Sequence, residues 1–376
     1  MLLNLHYRLW HKAPSHATVL TWIKKYGYYQ LNKQKKCCDD YWVIILDESV
    51  QFGQNKLLVI YGIEKNKIRF NHPINYHDLE PLVIKSKSSW KGDQISEELM
   101  NLEKQIGKIH YAIADQGNSI KKALKDRSIA HVYDITHYIS LTLEHLYKQD
   151  EAFKEFTSKM AHMRGSMCLG KLSHVLPPRQ RVSARFMSLR PISDWGSAVV
   201  KLLDDNTSEF IEEQQGLLWV KQYQGLIKEL KLINQVINRI QQVIKANGIC
   251  KWTVRYCLKT VMKICKKGRL LILKQKMKEY FQNVMSLVEN QLTIACSSDI
   301  IESSFGKYKN YIQANPMIGI TNLSLSIGAF TSPIKSENMK MALEQVKVSD
   351  IQEWSKENIG ETTLTKRRKI LKRGRS

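Results

Sequence analysis

The sequence has 376 residues, of which 43% are hydrophobic and 25% charged, and its formal net charge is +23. This length and hydrophobic content are sufficient for two or three folded domains and exclude an intrinsically disordered chain. Because Lys and Arg are spread along the whole chain, we expect a broad positive surface that binds polyanions, above all nucleic acid.

The N-terminal residues 1–36 are predicted to be helical. The segment Pro14–Leu31 opens with Ser15 as an N-cap and places Val19, Trp22 and other apolar residues at helical spacing. Basic and hydroxyl residues occupy the other face, so one interpretation is a partial helix-turn-helix DNA-binding segment. The other is an amphipathic helix packed on the next domain.

A strand pattern begins at Tyr41. The apolar, β-branched run Tyr41–Ser49 predicts a first strand, and a turn at Gly53–Asn55 leads into a second. The segment "NKIRFNHPI", residues Asn66–Ile74, is predicted as the third strand of an antiparallel meander.

Helices and strands then alternate. We predict a helix at about Gln94–Ile106, a fourth strand ending at Asp115, a helix at Ser119–Lys125 and a fifth strand ending at Asp134. The β-β-β-α-β-α-β order combines an antiparallel meander with parallel crossover strands, which predicts an α/β protein with a mixed sheet.

The rest of the sequence is mainly helical. The segment Tyr223–Gly248 carries an isoleucine and leucine stripe and closes with Asn247-Gly248, a C-cap pattern. A later helix starts near Ser297 or Ser298. The predicted domains are a helical segment 1–36, the first part of a core 37–140, a helical insertion 141–295, a final core helix 296–330, and a basic C-terminal region 331–376 with a disordered tail.

Three carboxylates are candidates for a metal site. Asp47 and Asp115 end apolar strands, and adjacent parallel strands would bring them to one edge of the sheet, where Glu302, in the first turn of its helix, could join them. Such a trio suits two Mg²⁺ or Mn²⁺ ions, which activate a water or 3′-hydroxyl and stabilise the leaving oxygen of a phosphodiester. Glu48 and Asp299 compete for these roles. Alternation directs Glu48 away from Asp47, and Asp299 suits the helix dipole.

The motifs "ILDES", "IADQGNS" and "SDIIESSFGKYK", in this strand order, resemble those of a DDE-class transposase of a bacterial insertion sequence. The resemblance implies a ribonuclease-H-like fold with a helical insertion before the final catalytic helix, and Asp47, Asp115 and Glu302 as catalytic metal ligands. It also implies cleavage at transposon ends and transfer of the 3′-hydroxyl into target DNA. The implied partners are double-stranded DNA and at least a second copy of the chain.

The sequence "DITH", Asp134–His137, is similar to the Cys-or-Asp, two residues, His signature of hAT and Mutator-like transposases. The resemblance implies that His137 acts catalytically at the scissile phosphate and that Asp134 orients a neighbouring group. The other interpretation of the motif is a helix cap followed by a surface histidine.

Other residues are candidates for DNA contacts. Lys309 lies seven residues after Glu302, as in a Tyr-Arg-Glu-Lys signature of some insertion-sequence transposases, but Ser298 stands where that signature has arginine. Lys307 lies on the same segment. Trp195 is one of the insertion tryptophans that could stack on a flipped base, although most tryptophans in such helices belong to the core.

The expected function is therefore that of a DNA transposase. Two alternatives remain, a ribonuclease-H-like nuclease without strand transfer and a catalytically inactive DNA-binding relative. The sequence has no uninterrupted apolar window of about 20 residues and no closely spaced cysteine pairs of the zinc-binding type. We expect a reducing bacterial cytoplasm, association with the nucleoid and no membrane partner.

Overall fold

The computed structural model describes residues 13–33, 41–52, 55–180, 186, 189–205, 210–287, 293–312, 319–331 and 334–373. The chain divides into two compact units. The first comprises residues Met1–Asp134 and Cys296–Ser376, and the second comprises Ile135–Ala295. The predicted insertion began at residue 141, whereas the second unit begins at Ile135, the first residue of a helix.

The elements of the first unit are α1 (His16–Asn32), β1 (Trp42–Phe52), β2 (Asn55–Glu64), β3 (Glu80–Lys87), α2 (Gly92–Ile106), β4 (Ile109–Ala114), α3 (Asn118–Asp126), β5 (Ala130–Tyr133), α11 (Asp299–Ile312), α12 (Leu325–Phe330), α13 (Ser336–Gln345), α14 (Val348–Asn358) and α15 (Thr363–Arg373). Those of the second are α4 (Ile135–Tyr147), α5 (Glu151–Met167), α6 (Arg190–Asp204), α7 (Ile211–Leu217), α8 (Gln224–Asn247), α9 (Lys251–Ile264) and α10 (Arg269–Leu287).

A mixed sheet with the order β3-β2-β1-β4-β5 forms the centre of the first unit. Strands β1, β2 and β3 pair antiparallel, whereas β4 pairs parallel with β1 and with β5. This confirms the predicted fold, a ribonuclease-H-like mixed sheet interrupted by a large helical insertion before α11.

The third strand is not where the sequence predicted it. A short 3₁₀ turn at Lys65–Lys67 overlaps the start of Asn66–Ile74, and the segment contains a left-handed residue, Asn71, with φ of 94°. The strand is instead β3, which begins at Glu80, six residues after Ile74. A positive φ at a non-glycine residue interrupts the extended backbone that a strand needs.

One face of the sheet is covered by α2 and α3. The residues that pack there are buried and apolar: Trp42, Ile44, Leu46, Leu58, Ile60, Ala112 and Ala114 of the sheet, Ile95, Leu99, Leu102 and Ile106 of α2, and Ile120, Ala123 and Leu124 of α3. Residues on the opposite face therefore alternate with these, at odd positions in β1 and β4.

Helix α1 is part of this unit. Its N-cap is Ser15, whose hydroxyl accepts a hydrogen bond from the Thr18 N–H, as predicted. The helix packs on α12 and β3, and at Gly27 a Cβ would lie only 1.9 Å from the Leu325 carbonyl oxygen. This packing agrees with the second interpretation of the segment, while the helix-turn-helix interpretation remains a prediction. Residues 1–12 and 34–36 of the segment lie outside the described residues.

The C-terminal region is more regular than we predicted. It contains α13, α14 and, in place of the disordered tail, α15. The Thr362 hydroxyl accepts a hydrogen bond from the Thr365 N–H at 3.2 Å, which satisfies a donor in the first turn of α15. Residues 374–376 lie outside the described part of the chain.

The second unit is helical. Helix α8 buries one stripe of aliphatic residues and ends at Gly248, which has φ of 66°, as its Asn-Gly ending predicted. Arg269 at the start of α10 binds Asp150 at 2.6 Å and Glu229 at 3.1 Å, so one guanidinium joins α10 to α8 and to the start of α5. In the described part of both units, no helix has the length and apolarity required to cross a membrane.

Candidate functional site

Asp47 and Asp115 lie at the same level on neighbouring parallel strands. Ile45 of β1 pairs with Ile113 of β4. Asp47 is two residues further along β1, and Asp115 is two residues after Ile113, one residue beyond the end of β4. Strict alternation of side chains predicts that both aspartates belong to the face opposite α2 and α3. We predicted that Asp47 ends its strand, and this is wrong. Strand β1 continues to Phe52 after a register irregularity between Asp47 and Val50.

Helix α11 covers this same face. Tyr61 of β2 pairs directly with Ile45, and residues directly opposite in an antiparallel pair share a face. The buried Tyr61 hydroxyl donates to Ser304 Oγ of α11 at 2.9 Å. Burial raises the pKa of Tyr61, so the phenol stays protonated and remains a donor. The sheet face with the two aspartates is therefore the face on which the Glu302 helix packs.

Asp134 anchors the start of α11. Its side chain is 1% exposed, and its Oδ2 accepts a 2.6 Å hydrogen bond from the main-chain N–H of Ser298, the residue before α11. The Asp134 N–H donates to the Ala114 carbonyl at 2.9 Å, which continues the β4–β5 pairing by one residue. Asp134 thus joins the ends of two strands to the N-terminus of a third element. Through its buried hydrogen bond to Ser298, Asp134 positions the start of α11.

Three predicted site residues lie on α11 itself. Glu302 is a half-buried first-turn residue, and Lys309 is half-buried near the end of the helix. Lys307 is exposed, and its ammonium lies 3.8 Å from the ring centre of Tyr76 and 5.1 Å from that of Phe330. The DNA contacts assigned to the two lysines remain predictions.

The loop after β4 holds Asp115 in a defined turn. Asp115 Oδ1 accepts a 2.9 Å hydrogen bond from the Gly117 N–H, and a Cβ at Gly117 would lie 3.0 Å from that oxygen. The carboxylate also acts on Glu48. Burial chiefly raises the pKa of Glu48 and the Asp115 charge adds to this, against the opposing effect of Lys56, 3.9 Å away. We predicted that the Glu48 side chain points away from Asp47. The carboxyl of Glu48 is nevertheless close enough to Asp115 for the Asp115 charge to affect its pKa.

His131 is a neighbour of the site that the sequence analysis missed. Burial lowers the pKa of this β5 histidine, and it outweighs the backbone carbonyls of Ala114 and Asp115 and the Asp115 charge, which all favour protonation. Its ring meets Tyr133 edge to face, with centres 4.5 Å apart. The signal in the sequence was a histidine within a predicted core strand. In the structure it lies two residues before Tyr133, which pairs with Ala114.

The remaining predicted residues belong to the second unit. His137 is half-buried in the first turn of α4, and its catalytic role remains a prediction. Trp195 donates its indole N–H to the Val175 carbonyl at 3.0 Å and packs against Phe156 and Trp219, with ring centres 6.4 and 6.2 Å away. These contacts resemble those of a core tryptophan, and its role in base stacking remains a prediction.

Carboxylate oxygens are the donors that Mg²⁺ and Mn²⁺ prefer, so the chemistry of Asp47, Asp115 and Glu302 suits such ions. Their arrangement is less complete. Within the described ranges, no group of three or more His, Cys, Asp or Glu side chains is placed to hold a metal ion. The fold brings Asp47 and Asp115 to corresponding positions after Ile45 and Ile113 and packs the glutamate helix on the sheet, but the described side chains do not by themselves form a three-ligand site.

No protein-family model and no curated protein matches the chain. Among solved structures, the chain is similar to the Drosophila P element transposase strand transfer complex, with 11% sequence identity, a TM-score of 0.42 and 89% of each chain covered.

Proposed function

We propose that this chain is a DNA transposase that cleaves DNA strands at the ends of a mobile element and joins the freed 3′-hydroxyl to target DNA. The observation that carries the proposal is the arrangement around Asp134. Asp47 and Asp115 each stand two residues after the paired residues Ile45 and Ile113, and the Asp134–Ser298 hydrogen bond holds the start of the Glu302 helix beside the end of β5. The motifs that resemble those of DDE transposases occur at these positions.

The charge of the chain supports DNA as the substrate. A net charge of +23 is suited to a partner that carries a phosphate on every nucleotide. An acidic site within this basic protein would not bind DNA by itself, because its carboxylates repel phosphate unless a cation lies between them. Divalent cations held by Asp47, Asp115 and Glu302 would neutralise charge on the phosphodiester during cleavage and joining.

The metal-binding part of the proposal requires rearrangement. The described side chains form no three-ligand group, so Glu302, Asp47 and Asp115 must move together when metal and DNA bind. Before metal and DNA bind, two hydrogen bonds hold parts of the site in position. Asp134 holds the helix start, and the Gly117 N–H holds one oxygen of Asp115. His137 is proposed to act at the scissile phosphate.

The experiment uses the purified chain, Mg²⁺ or Mn²⁺, and a supercoiled plasmid that carries the DNA flanking the gene. Asp47→Asn and Asp115→Asn should reduce strand cleavage at least about 100-fold, because each removes a charged group needed at the reacting phosphate, while DNA affinity changes little. Asp299→Asn, a first-turn carboxylate of α11, is the matched control and should cleave nearly normally.

Three outcomes separate the alternatives. Metal-dependent cleavage that survives in both Asn variants would overturn the site assignment. Cleavage without any joined product would indicate a nuclease, and DNA binding without cleavage would indicate an inactive relative. His137→Ala tests the histidine: a large loss of single-turnover cleavage with an unchanged melting temperature supports the catalytic role, and lowered stability with normal cleavage contradicts it.

A further inference from the structure

The middle of the second unit contains a long stretch without acidic residues. Residues 230–278 contain thirteen Lys or Arg residues and no Asp or Glu. Across the whole chain 35 of 376 residues are acidic, so 49 consecutive residues without one depart clearly from the average. This stretch includes most of α8, all of α9 and the first half of α10.

Four basic residues recur at every fourth position along α9: Lys251, Arg255, Lys259 and Lys263. We refer to these four as the basic stripe. Residues four apart are neighbours on a helix surface, and the stripe lies opposite the buried residues Thr253, Cys257 and Val261. Trp252, with 56% of its surface exposed, falls within the same arc of the helix.

The stripe is unfavourable for the stability of the helix. Like charges four residues apart repel each other, and the stripe contains three such pairs. Lys251 is also in the first turn of α9, where the positive end of the helix dipole disfavours a cation and no acidic residue compensates. None of the carboxylates that the structure describes pairs with these four side chains. An arrangement that opposes helix stability and stays exposed is expected where an anionic partner compensates for it.

A neighbouring helix extends the positive surface. Arg239 of α8 is exposed, and its Nε donates a 2.7 Å hydrogen bond to the hydroxyl of Tyr256, the residue after Arg255. The guanidinium carbon lies 5.7 Å from the centre of the Tyr256 ring. This contact holds Arg239 beside the stripe, so the surface spans two helices.

We propose that the basic stripe of α9, together with Arg239, binds the sugar–phosphate backbone of duplex DNA. The inference rests on the proposed function for the choice of DNA, and it assigns a binding surface within the helical unit that none of the predicted site residues contributes to. Successive stripe residues rise about 6 Å along the helix axis, so a line of cations about 18 Å long faces the partner. Flexible lysines contact phosphates and do not read bases, so binding should be independent of sequence.

The test compares two variants of the full chain with equal loss of charge in the same unit. In the stripe variant, Lys251→Gln, Arg255→Gln, Lys259→Gln and Lys263→Gln are combined. The control variant combines Lys148→Gln, Lys154→Gln, Lys171→Gln and Lys221→Gln, whose lysines each lie 2.9 to 3.2 Å from a carboxylate. Affinity for a fluorescently labelled duplex of arbitrary sequence is measured by anisotropy between about 50 and 200 mM salt.

The stripe variant should bind about tenfold or more weakly at the lowest salt. The slope of log affinity against log salt should become shallower by about 0.9 for each phosphate that the variant no longer neutralises, up to about 3.6 for four phosphates. The control should change much less, because its lysines are already neutralised by their partners. The melting temperature of the stripe variant should equal or exceed that of the unchanged chain, since repulsion is removed.

Equal weakening by both variants would overturn the proposal, because net charge alone would then explain binding. An unchanged affinity of the stripe variant for the duplex would also overturn it. So would a stripe variant that loses affinity for vesicles of anionic lipid but binds the duplex as tightly as before. The assay requires no cleavage. An Asp115→Asn chain should therefore bind the duplex normally, so failure of the stripe and failure of the proposed chemistry give different results.

Discussion

The main-chain N–H of Ser298 donates a 2.6 Å hydrogen bond to Oδ2 of Asp134, and neither residue is more than 4% exposed. The two residues are 164 positions apart in the sequence. Between them lies the entire helical unit, so this bond closes the first unit after the insertion. A charged acceptor at the start of a helix also interacts favourably with the helix dipole, which stabilises α11 where it begins.

The first prediction concerns this bond. Asp134→Ala should lower the free energy of unfolding by about 1–3 kcal/mol, because it leaves a buried N–H without its charged acceptor. Asp134→Asn retains an oxygen that can accept from Ser298 and should recover part of the loss. Urea unfolding measures both variants. Asp299→Ala, which removes a half-buried carboxylate from the same helix end, should have the smaller effect, about 0.3–1 kcal/mol. Equal losses at Asp134 and Asp299 would show that the bond adds nothing beyond the helix dipole.

The second prediction concerns the crossing of α1 and α12. Gly27→Ala should destabilise the chain by about 1–3 kcal/mol or more, because the new methyl group would meet the Leu325 carbonyl oxygen and its carbon, at 1.9 and 2.7 Å. Both are backbone atoms, so a side-chain rotation cannot relieve the clash. Thermal unfolding is the measurement.

Gly306→Ala is the matched control for that substitution. Gly306 is in the interior of α11 in the same unit, and a Cβ there would meet no heavy atom within 4 Å. Alanine should therefore stabilise the chain by roughly 0.5–1 kcal/mol through helix propensity. A Gly27→Ala chain as stable as the original would show that α1 does not pack against α12 as closely as described.

The order of strands and helices along the chain could be predicted because most strands are short apolar runs between clear breaks. Strand β3 was missed because its sequence, "EPLVIKSK", begins beside a proline and carries charges at both ends, while Asn66–Ile74 contains as many apolar residues without forming a strand. The choice between the two depends on pairing with β2, which involves residues 18 to 31 positions apart. Local patterns do not contain that information.

The site could be predicted only up to the level of its elements. The sequence indicated that Asp47 and Asp115 would be neighbours, since strands that alternate with helices pair in parallel. It could not indicate that Asp134 accepts from Ser298, because either an aspartate that caps its own helix or one that reaches another helix fits the same motif. The effect of the Asp115 charge on the pKa of Glu48 was not predicted, because strict alternation is unreliable beside the register irregularity after Asp47.

The third prediction concerns pH and His110, a β4 residue at the end of the strand opposite to Asp115. Burial lowers the pKa of His110 below its ordinary value of 6.5, and the charges of Lys65 and Lys108 lower it further. Both lysines lie over the ring of Tyr41, 5.8 and 5.3 Å from its centre, and that ring is 5.4 Å from the imidazole. Among the described residues, no group forms a hydrogen bond with His110 Nε2. The folded chain therefore favours the neutral imidazole.

The direction of the pH effect follows from the depressed pKa. The unfolded chain binds a proton to His110 more readily than the folded chain does, so the stability associated with the neutral ring is present above pH 6.5 and is lost as the pH falls through the folded pKa. Lys108→Gln removes one of the two cations and should raise the pKa of His110, which an NMR titration of the imidazole measures directly. His110→Gln should remove this part of the decline in melting temperature below pH 6.5. If the imidazole titrated at its ordinary value, or if Lys108→Gln left its pKa unchanged, the neighbouring lysines would not be the cause, and the end of β4 near Tyr41 would be more open to water than the structure shows.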